Sequence, residues 1–286
     1  MKNKTTVLRE MLIHGKEIVT APGVYDGLSA LLAKQAGFSA LYASGGAIAR
    51  STGYPDIGLM TMTEVSAVLR HLVHVTDLPI IADADTGFGN AINVARTVRE
   101  FEETGIAGFH LEDQTFPKRC GHLNDKTIVS MEEMCHKIRV ARQSLRDPDF
   151  VIIARTDAIA IEGFDAAIVR AKAYLKAGAD MIFVEAPETE AQIEEIARQI
   201  PEPKLINMFV GGKTPLVATE KLQSLGYRLI IIPSDLQRAS IKAMQKTLTE
   251  IKKVGHSAAL VSEMVSFNER EQIVDTKRYL ELDVMR

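Results

Sequence analysis

The sequence predicts an α/β protein, a (β/α)8 barrel of the TIM type with a C-terminal helical extension, and three observations carry that prediction. Eight short apolar runs recur along the chain with amphipathic helical segments between them. Glycine stands just past several of those helical segments. Polar and charged residues collect at one end of the runs, the end from which a barrel presents its chemistry. A length of 286 residues suits one barrel of about 250 residues with an addition. The expected division is a barrel over residues 1–256 and a helical tail over 257–286.

The apolar runs cover residues 18–21, 40–43, 79–82, 108–111, 150–154, 181–184, 204–206 and 229–232. Most are apolar on consecutive positions, as parallel strands covered on both faces are. Thr61 with Glu64, and Ser130 with Glu133, have the spacing of a capping box. Apolar residues follow each at helical intervals: Val65, Leu69, Leu72 and Val73 in one case, Met134, Ile138 and Ala141 in the other. Gly37, Gly105, Gly178 and Gly226 sit where a left-handed residue would end a helix and turn the chain toward the next strand. A doubly wound open sheet needs only five or six strands, and no G-x-G-x-x-G follows the first run.

Composition excludes more than it suggests. Hydrophobic residues at 46% and charged residues at 25% are ordinary for a globular chain, and the net charge of −3 gives no reason to expect a nucleic-acid or membrane partner. No stretch reaches the roughly 18 apolar residues of a membrane span, and the first 19 residues lack the apolar core of a secretory signal. Two cysteines, Cys120 and Cys135, cannot build a disulfide framework and fit a reducing, cytoplasmic setting.

Read in order, the ends of the runs give Ser44-Gly45-Gly46, Asp83-Ala84-Asp85, Glu112-Asp113, Arg155-Thr156-Asp157, Glu185 and Asn207. The opposite junctions show no comparable set. Asp83, Asp85 and Glu112 would meet near the barrel axis, where carboxylates repel unless a cation intervenes. Oxygen ligands without His or Cys favour Mg2+, with Mn2+ as the substitute, over zinc. Salt bridges to Arg155 and Lys118 are the competing account. Ser44-Gly45-Gly46 suits either an anion cradle or a tight turn. Lys118-Arg119-Cys120-Gly121-His122 places a thiol between two cations and a histidine, which predicts a reactive cysteine over the metal site. Gly212-Lys213-Thr214 is not a P-loop, because Asn207 stands where the leading glycine belongs.

Taken together, Ser44-Gly45-Gly46, the DADTGFG stretch at 83–89, FHLEDQ at 109–114, KRCGH at 118–122 and ARTDA at 154–158 resemble the isocitrate lyase/phosphoenolpyruvate mutase superfamily, from about residue 18 to 245. In that family KRCGH marks the carbon–carbon lyase branch, with 2-methylisocitrate and 2,3-dimethylmalate lyases, and the oxaloacetate hydrolases. Phosphonate-handling members lack the cysteine. The resemblance implies a Mg2+-dependent lyase cleaving a 2-hydroxy di- or tricarboxylate to pyruvate and a carboxylic acid, with oxaloacetate hydrolysis and a phosphonomutase as alternatives. It implies that Asp83 is the direct metal ligand and that Asp56, Asp85 and Glu112 hold the ion through water. Ser44, Gly45, Gly46 and Arg155 match the cradle for the oxo-acid, and Cys120 matches the catalytic acid, with Lys118, Arg119, Gly121 and His122 in its loop. Glu185, Asn207 and Arg238 match the wall around the rest of the substrate. Tyr42, just before the Ser-Gly-Gly turn, is the candidate base. The family assembles as tetramers that exchange C-terminal helices, which implies a role for the tail. One stretch departs from the methylisocitrate pattern: Asn-Ile-Thr-Glu-Phe-Gly is replaced by Asn207-Met208-Phe209-Val210-Gly211-Gly212. Phe209 and Val210 there favour a substrate with an alkyl branch over one with a third carboxylate.

Overall fold

The computed structural model describes residues 2–121 and 125–284. Its strands are β1 Val19–Val24, β2 Leu41–Ala43, β3 Ile80–Asp83, β4 Gly108–Glu112, β5 Val151–Thr156, β6 Met181–Val184, β7 Lys204–Asn207 and β8 Tyr227–Ile232. All pair in parallel in chain order, and β8 returns to β1 through Val19 opposite Leu229, closing the barrel. Each apolar run of the sequence falls on one of these strands.

Alternation along the strands sorts the side chains into two cores. One face packs outward against the helices, with Leu41, Ala82, Phe109, Ile152 and Ile182 meeting Leu69, Val98, Ile138 and Ala171. The other fills the barrel with Tyr42, Ile81, Ile153, Phe183, Leu205 and Ile231. Two residues further along the same inward face come Asp83, Glu112, Arg155, Glu185 and Asn207, since the side-chain period of a strand is two. The polar ends noted in the sequence are thus the top layer of the barrel interior.

Helix signals hold in detail. Thr61 and Glu64 cap helix Met62–Val75 reciprocally, so the box is complete. Ser130 accepts from the Glu133 amide at the start of helix Met131–Ser144, but the return bond is not made, so only half of that box forms. Gly105 has φ 86° and ends helix Ala91–Thr104 in the left-handed conformation.

The opposite end of the barrel carries charge too, although its junctions show no comparable polar set in the sequence. A short helix, Lys4–Arg9, and a π-helical turn, Glu10–His14, drive Leu8 and Leu12 into the barrel base. Around that plug Arg9 reaches Asp180 at 2.9 Å, and Arg142 pairs with the same carboxylate. Lys204 is buried there too, donating to the carbonyls of Ile200 at 2.8 Å and Glu202 at 3.0 Å.

Helix Asp235–Val254 ends at Gly255, and the chain continues through a 3-10 turn, Ala258–Glu263, and helices Phe267–Ile273 and Thr276–Val284. The first of these two helices touches helix Gly27–Gln35 of the barrel. Val261, Phe267, Leu280 and Val284 of the tail are exposed, as are Ile241, Met244, Leu248 and Ile251, which recur at helical spacing on the preceding helix. Among the described residues no helix is long and apolar enough to cross a membrane.

Candidate active site

At the C-terminal end of the strands lies a cavity of about 350 Å³. Tyr42, Ser44, Gly46, Asp56, Asp83, Lys118, Cys120, Gly121, Arg155, Glu185, Asn207 and Arg238 all line it. Asp85 and Glu112 stand just behind this lining, within reach of Lys118 and Arg155 respectively. His122 lies outside the described residues.

The two glycines after Ser44 have a steric reason. Ser44 caps the short helix Gly45–Ser51. A Cβ on Gly45 would meet Asp83 Oδ2 at 2.6 Å, and one on Gly46 would meet Asp56 Oδ2 at 2.7 Å. The backbone therefore presses directly against two carboxylates, which only glycine allows. Asp85 is held at a left-handed φ of 48°, with its amide donating to Asp83 Oδ1 at 2.9 Å. Non-glycine residues in that conformation are uncommon and tend to gather at functional sites.

Both accounts of the carboxylates contain part of the answer. Lys118 Nζ pairs with Asp56 and lies 2.9 Å from Asp85 Oδ1, and Arg155 Nη1 lies 3.3 Å from Glu112 Oε2. Salt bridges do form. Among the described residues they do not balance the site: the lysine and arginine paired with Asp56, Asp85 and Glu112 are Lys118 and Arg155, and Arg155 is shared with Asp157. Glu112 is fully buried, and among the described residues neither of its oxygens receives a hydrogen bond. Burial pushes Glu112 well above the usual carboxylate range, against the pull of Arg155. Asp85 is likewise pushed up to about 7, by burial against Lys118 and with the help of Asp83 and Asp56. For Asp83 burial is outweighed by neighbouring cations, and it stays well below the usual range. The groups that pull Asp83 down are His110, Lys118 and Arg155, while burial lowers His110 itself to about 4.

An ionised, buried Asp83 beside Asp85 and Glu112, which burial has made reluctant to ionise, is the electrostatic setting a divalent cation completes. The donor set is all oxygen, so the residues fit Mg2+ or Mn2+. Among the described residues no three His, Cys, Asp or Glu side chains converge at metal-ligand spacing. An ion held directly by Asp83 and through water by Asp56, Asp85 and Glu112, as the family resemblance implies, needs no such convergence.

The Cys120 amide donates to the Asp56 carbonyl at 3.2 Å, which brings the loop over the carboxylates. Cys135 lies in the second turn of helix Met131–Ser144, and burial raises its thiol pKa. Tyr42 Oη is 2.8 Å from His110 Nε2 and 3.5 Å from Asp83 Oδ2. His110 was legible in hindsight: it shares the inward face of β4 with Glu112, two residues on. Arg50, Gln237 and Ile241 also line the cavity and carry no local sequence signal, since the chain returns to them from other helices.

Phe209, Ile231, Pro233 and Ile241 give the cavity an apolar lining, and Arg238 lines it too. Val210 is 57% exposed and contributes its carbonyl to Arg238 rather than its side chain to the cavity. Of the two apolar residues that replace the methylisocitrate pattern, Phe209 alone enters.

Barrel, carboxylate cluster and cysteine loop define a class: enzymes that work on small carboxylates from the C-terminal mouth of a (β/α)8 barrel. The chain belongs to the phosphoenolpyruvate phosphomutase family, whose model matches residues 8–252. It is 43% identical to a 2,3-dimethylmalate lyase of Eubacterium barkeri over 98% of this chain and 97% of the relative. It is 44% identical to a 2-methylisocitrate lyase of Aeropyrum pernix over 97% of this chain and 89% of the relative. Among solved structures, a 2,3-dimethylmalate lyase superposes with a TM-score of 0.93 at 34% identity, covering 99% of this chain and 95% of the other. An oxaloacetate acetylhydrolase bound to 3,3-difluorooxalacetate gives 0.92 at 33% identity, covering 98% and 96%. A phosphonopyruvate hydrolase with oxalate and Mg2+ gives 0.89 at 30% identity, covering 99% and 98%.

Proposed function

We propose that this chain is a Mg2+-dependent carbon–carbon lyase that cleaves 2-alkylmalates of the 2,3-dimethylmalate type to pyruvate and a short-chain acid. The observation that carries the choice of substrate is Phe209 in the cavity wall beside Ile231, Pro233 and Ile241. A third carboxylate set against that wall would lose its water without gaining a partner. An alkyl branch would gain about 0.8 kcal/mol per buried CH2. Arg238 serves one carboxylate, and the Ser44-Gly45-Gly46 turn with Arg155 serves the end that becomes pyruvate.

Asp83 would hold the cation directly, with Asp56, Asp85 and Glu112 behind it, and the bound ion would supply charge stabilisation for the oxygens of the cleaving substrate. Tyr42 takes the substrate's hydroxyl proton. It accepts that proton as the phenolate, which burial makes a strong though scarce base by raising the phenol pKa well above its ordinary value, and the phenol so formed donates to His110 Nε2 at 2.8 Å. The bond between the carbinol carbon and the neighbouring carbon then breaks, and Cys120 Sγ gives its proton to the carbanion of the departing acid. Lys118, Arg119 and Gly121 flank that cysteine in its loop, and Glu185 and Asn207 complete the wall around the substrate.

Oxaloacetate hydrolysis to oxalate and acetate is the second reading, favoured by the likeness to the acetylhydrolase. It uses the same carboxylates but leaves the Phe209–Ile241 wall unfilled. A phosphonomutase leaves Cys120 without a task. Assays with Mg2+ separate the three: pyruvate from 2,3-dimethylmalate and 2-methylisocitrate, oxalate from oxaloacetate, or consumption of phosphonopyruvate. A clear preference for 2-methylisocitrate would overturn the reading of Phe209.

We further propose that residues 1–256 form the catalytic barrel and 257–286 a tail that docks on a neighbouring subunit of a cytoplasmic homotetramer. The exposed stripe of Ile241, Met244, Leu248 and Ile251 and the exposed apolar residues of the tail support this. Light scattering on the full chain and on a chain ending at residue 256 tests it.

A further inference from the structure

Two buried residues outside the cavity lining, Gln114 and Lys126, grip the backbone on either side of Cys120. Gln114 is 1% exposed. Its side-chain amide donates to the Arg119 carbonyl at 2.8 Å and accepts from the Arg119 amide at 2.9 Å, so it holds both polar groups of the residue before the cysteine. Lys126 is 8% exposed, and its Nζ donates to the carbonyl of Gly121, the residue after the cysteine, at 2.6 Å.

These two anchors stand on a common base. The chain leaves β4 and returns as a narrow neck, with the Val129 amide on the Asp113 carbonyl at 2.8 Å and the Thr115 amide on the Thr127 carbonyl at 2.9 Å. Gln114 projects from the outgoing side of the neck and Lys126 from the incoming side. The same Lys126 Nζ pairs with Asp157 at 2.8 Å. Asp157 in turn accepts from Arg155 Nε at 2.9 Å and Nη2 at 3.1 Å. Gly121 is pressed so closely on Arg155 and Glu185 that a Cβ there would collide with both. One ammonium group thus ties the backbone beside Cys120 to the carboxylate that orients Arg155.

We propose that Gln114 and Lys126 are positioning residues for Cys120, and that Lys126, through Asp157, fixes the distance between the thiol and the Arg155 end of the cavity. The role assigned to Cys120 rests on the lyase reading above; the clamp on its backbone does not. A buried bidentate amide and a buried, twice-bonded ammonium are costly to leave unpaired, so the backbone of Arg119 and Gly121 on either side of Cys120 is held in one geometry while both are satisfied. Proton delivery depends on that geometry, and a displacement of about 1 Å can cost on the order of 10²-fold in rate.

The test uses the full chain as Lys126→Met, Lys126→Arg and Gln114→Met, with two readouts. The first is the rate of Cys120 alkylation by iodoacetamide, followed by peptide mass and referred to Cys135 in the same molecule. The second is kcat and KM on whichever substrate the native chain turns over. Both methionine variants should alkylate Cys120 at least about five times faster than the native chain. They should lose about 10-fold or more in kcat, with KM within about threefold. Lys126→Arg should recover most of both. Alkylation within about twofold of native in both methionine variants overturns the proposal, and so does a kcat loss that arrives with unchanged alkylation. If Lys126→Met does not fold, Gln114→Met decides alone. If the native chain cleaves no substrate in the panel, the lyase reading fails while the alkylation rates still judge the clamp.

Discussion

The two ends of this barrel are both rich in charge, and they use it in opposite ways. At the base, Asp180 is held by Arg9 and Arg142, Thr5 donates to Asp147 at 2.7 Å, and Lys204 is spent on backbone carbonyls. Donors and acceptors there find one another around the Leu8–Leu12 plug. At the mouth, among the described residues, Asp56, Asp83, Asp85 and Glu112 outnumber the lysine and arginine paired with them, and Glu112 lies buried with no hydrogen bond to either oxygen. Burying charge costs free energy at either end. A fold offsets that cost where charge only secures structure, and leaves it partly unmet where a ligand is to complete the balance. The imbalance, rather than the number of charges, separates the working end from the structural one.

The comparison breaks most visibly at Asp83. Asp83→Ala removes the carboxylate that stays ionised, and turnover should fall on the order of 10³-fold or more without rescue by moderate Mg2+. Excess chelator should abolish activity in the native chain, and Mg2+ or Mn2+ should restore it. Full turnover in chelator would make the mouth a salt-bridge cluster like the base.

Cys120→Ser should keep the fold and lose about 10²-fold or more in kcat, because a hydroxyl is a far weaker acid than a thiol. Alkylation should inactivate through Cys120 and not through Cys135, and bound product should slow it. A serine variant with most of its rate would mean that another group delivers the proton.

Changes at the base should reverse the pattern. Arg9→Ala leaves Asp180 with one cation and exposes the edge of the plug. A loss of about 1–2 kcal/mol in denaturant unfolding is expected, with kcat within about twofold of native. A larger loss of kcat than of stability would show that the ends are coupled.

The smallest effect belongs to the apolar wall. Phe209→Ala should lower kcat/KM for 2,3-dimethylmalate by about fourfold for each methylene it leaves uncovered, following the cost of about 0.8 kcal/mol per CH2. The value for 2-methylisocitrate should move less. Equal losses on both substrates would place Phe209 in packing and not in selection.

The barrel itself was written in local pattern. Consecutive apolar positions, a capping threonine with its glutamate at 61 and 64, and a glycine at 105 that must turn left-handed are short-range instructions, and each acts within a few residues of where it is read. The identity of the top layer was also legible, because side chains alternate along a strand and the strand ends carry Asp83, Glu112, Arg155, Glu185 and Asn207 at a fixed phase. His110 belongs to the same pattern, although its partner Tyr42 comes from another strand. Tertiary structure alone decided that Lys118 enters the carboxylate cluster and that Phe209 faces the cavity while Val210 faces solvent. It alone brought Arg50, Gln237 and Ile241 to the wall, and Gln114 and Lys126 to the two sides of Cys120. These outcomes depend on which distant segments are packed against a residue and on how buried charges divide the available partners. Neither is a property of a window of sequence; both exist only once the barrel has closed.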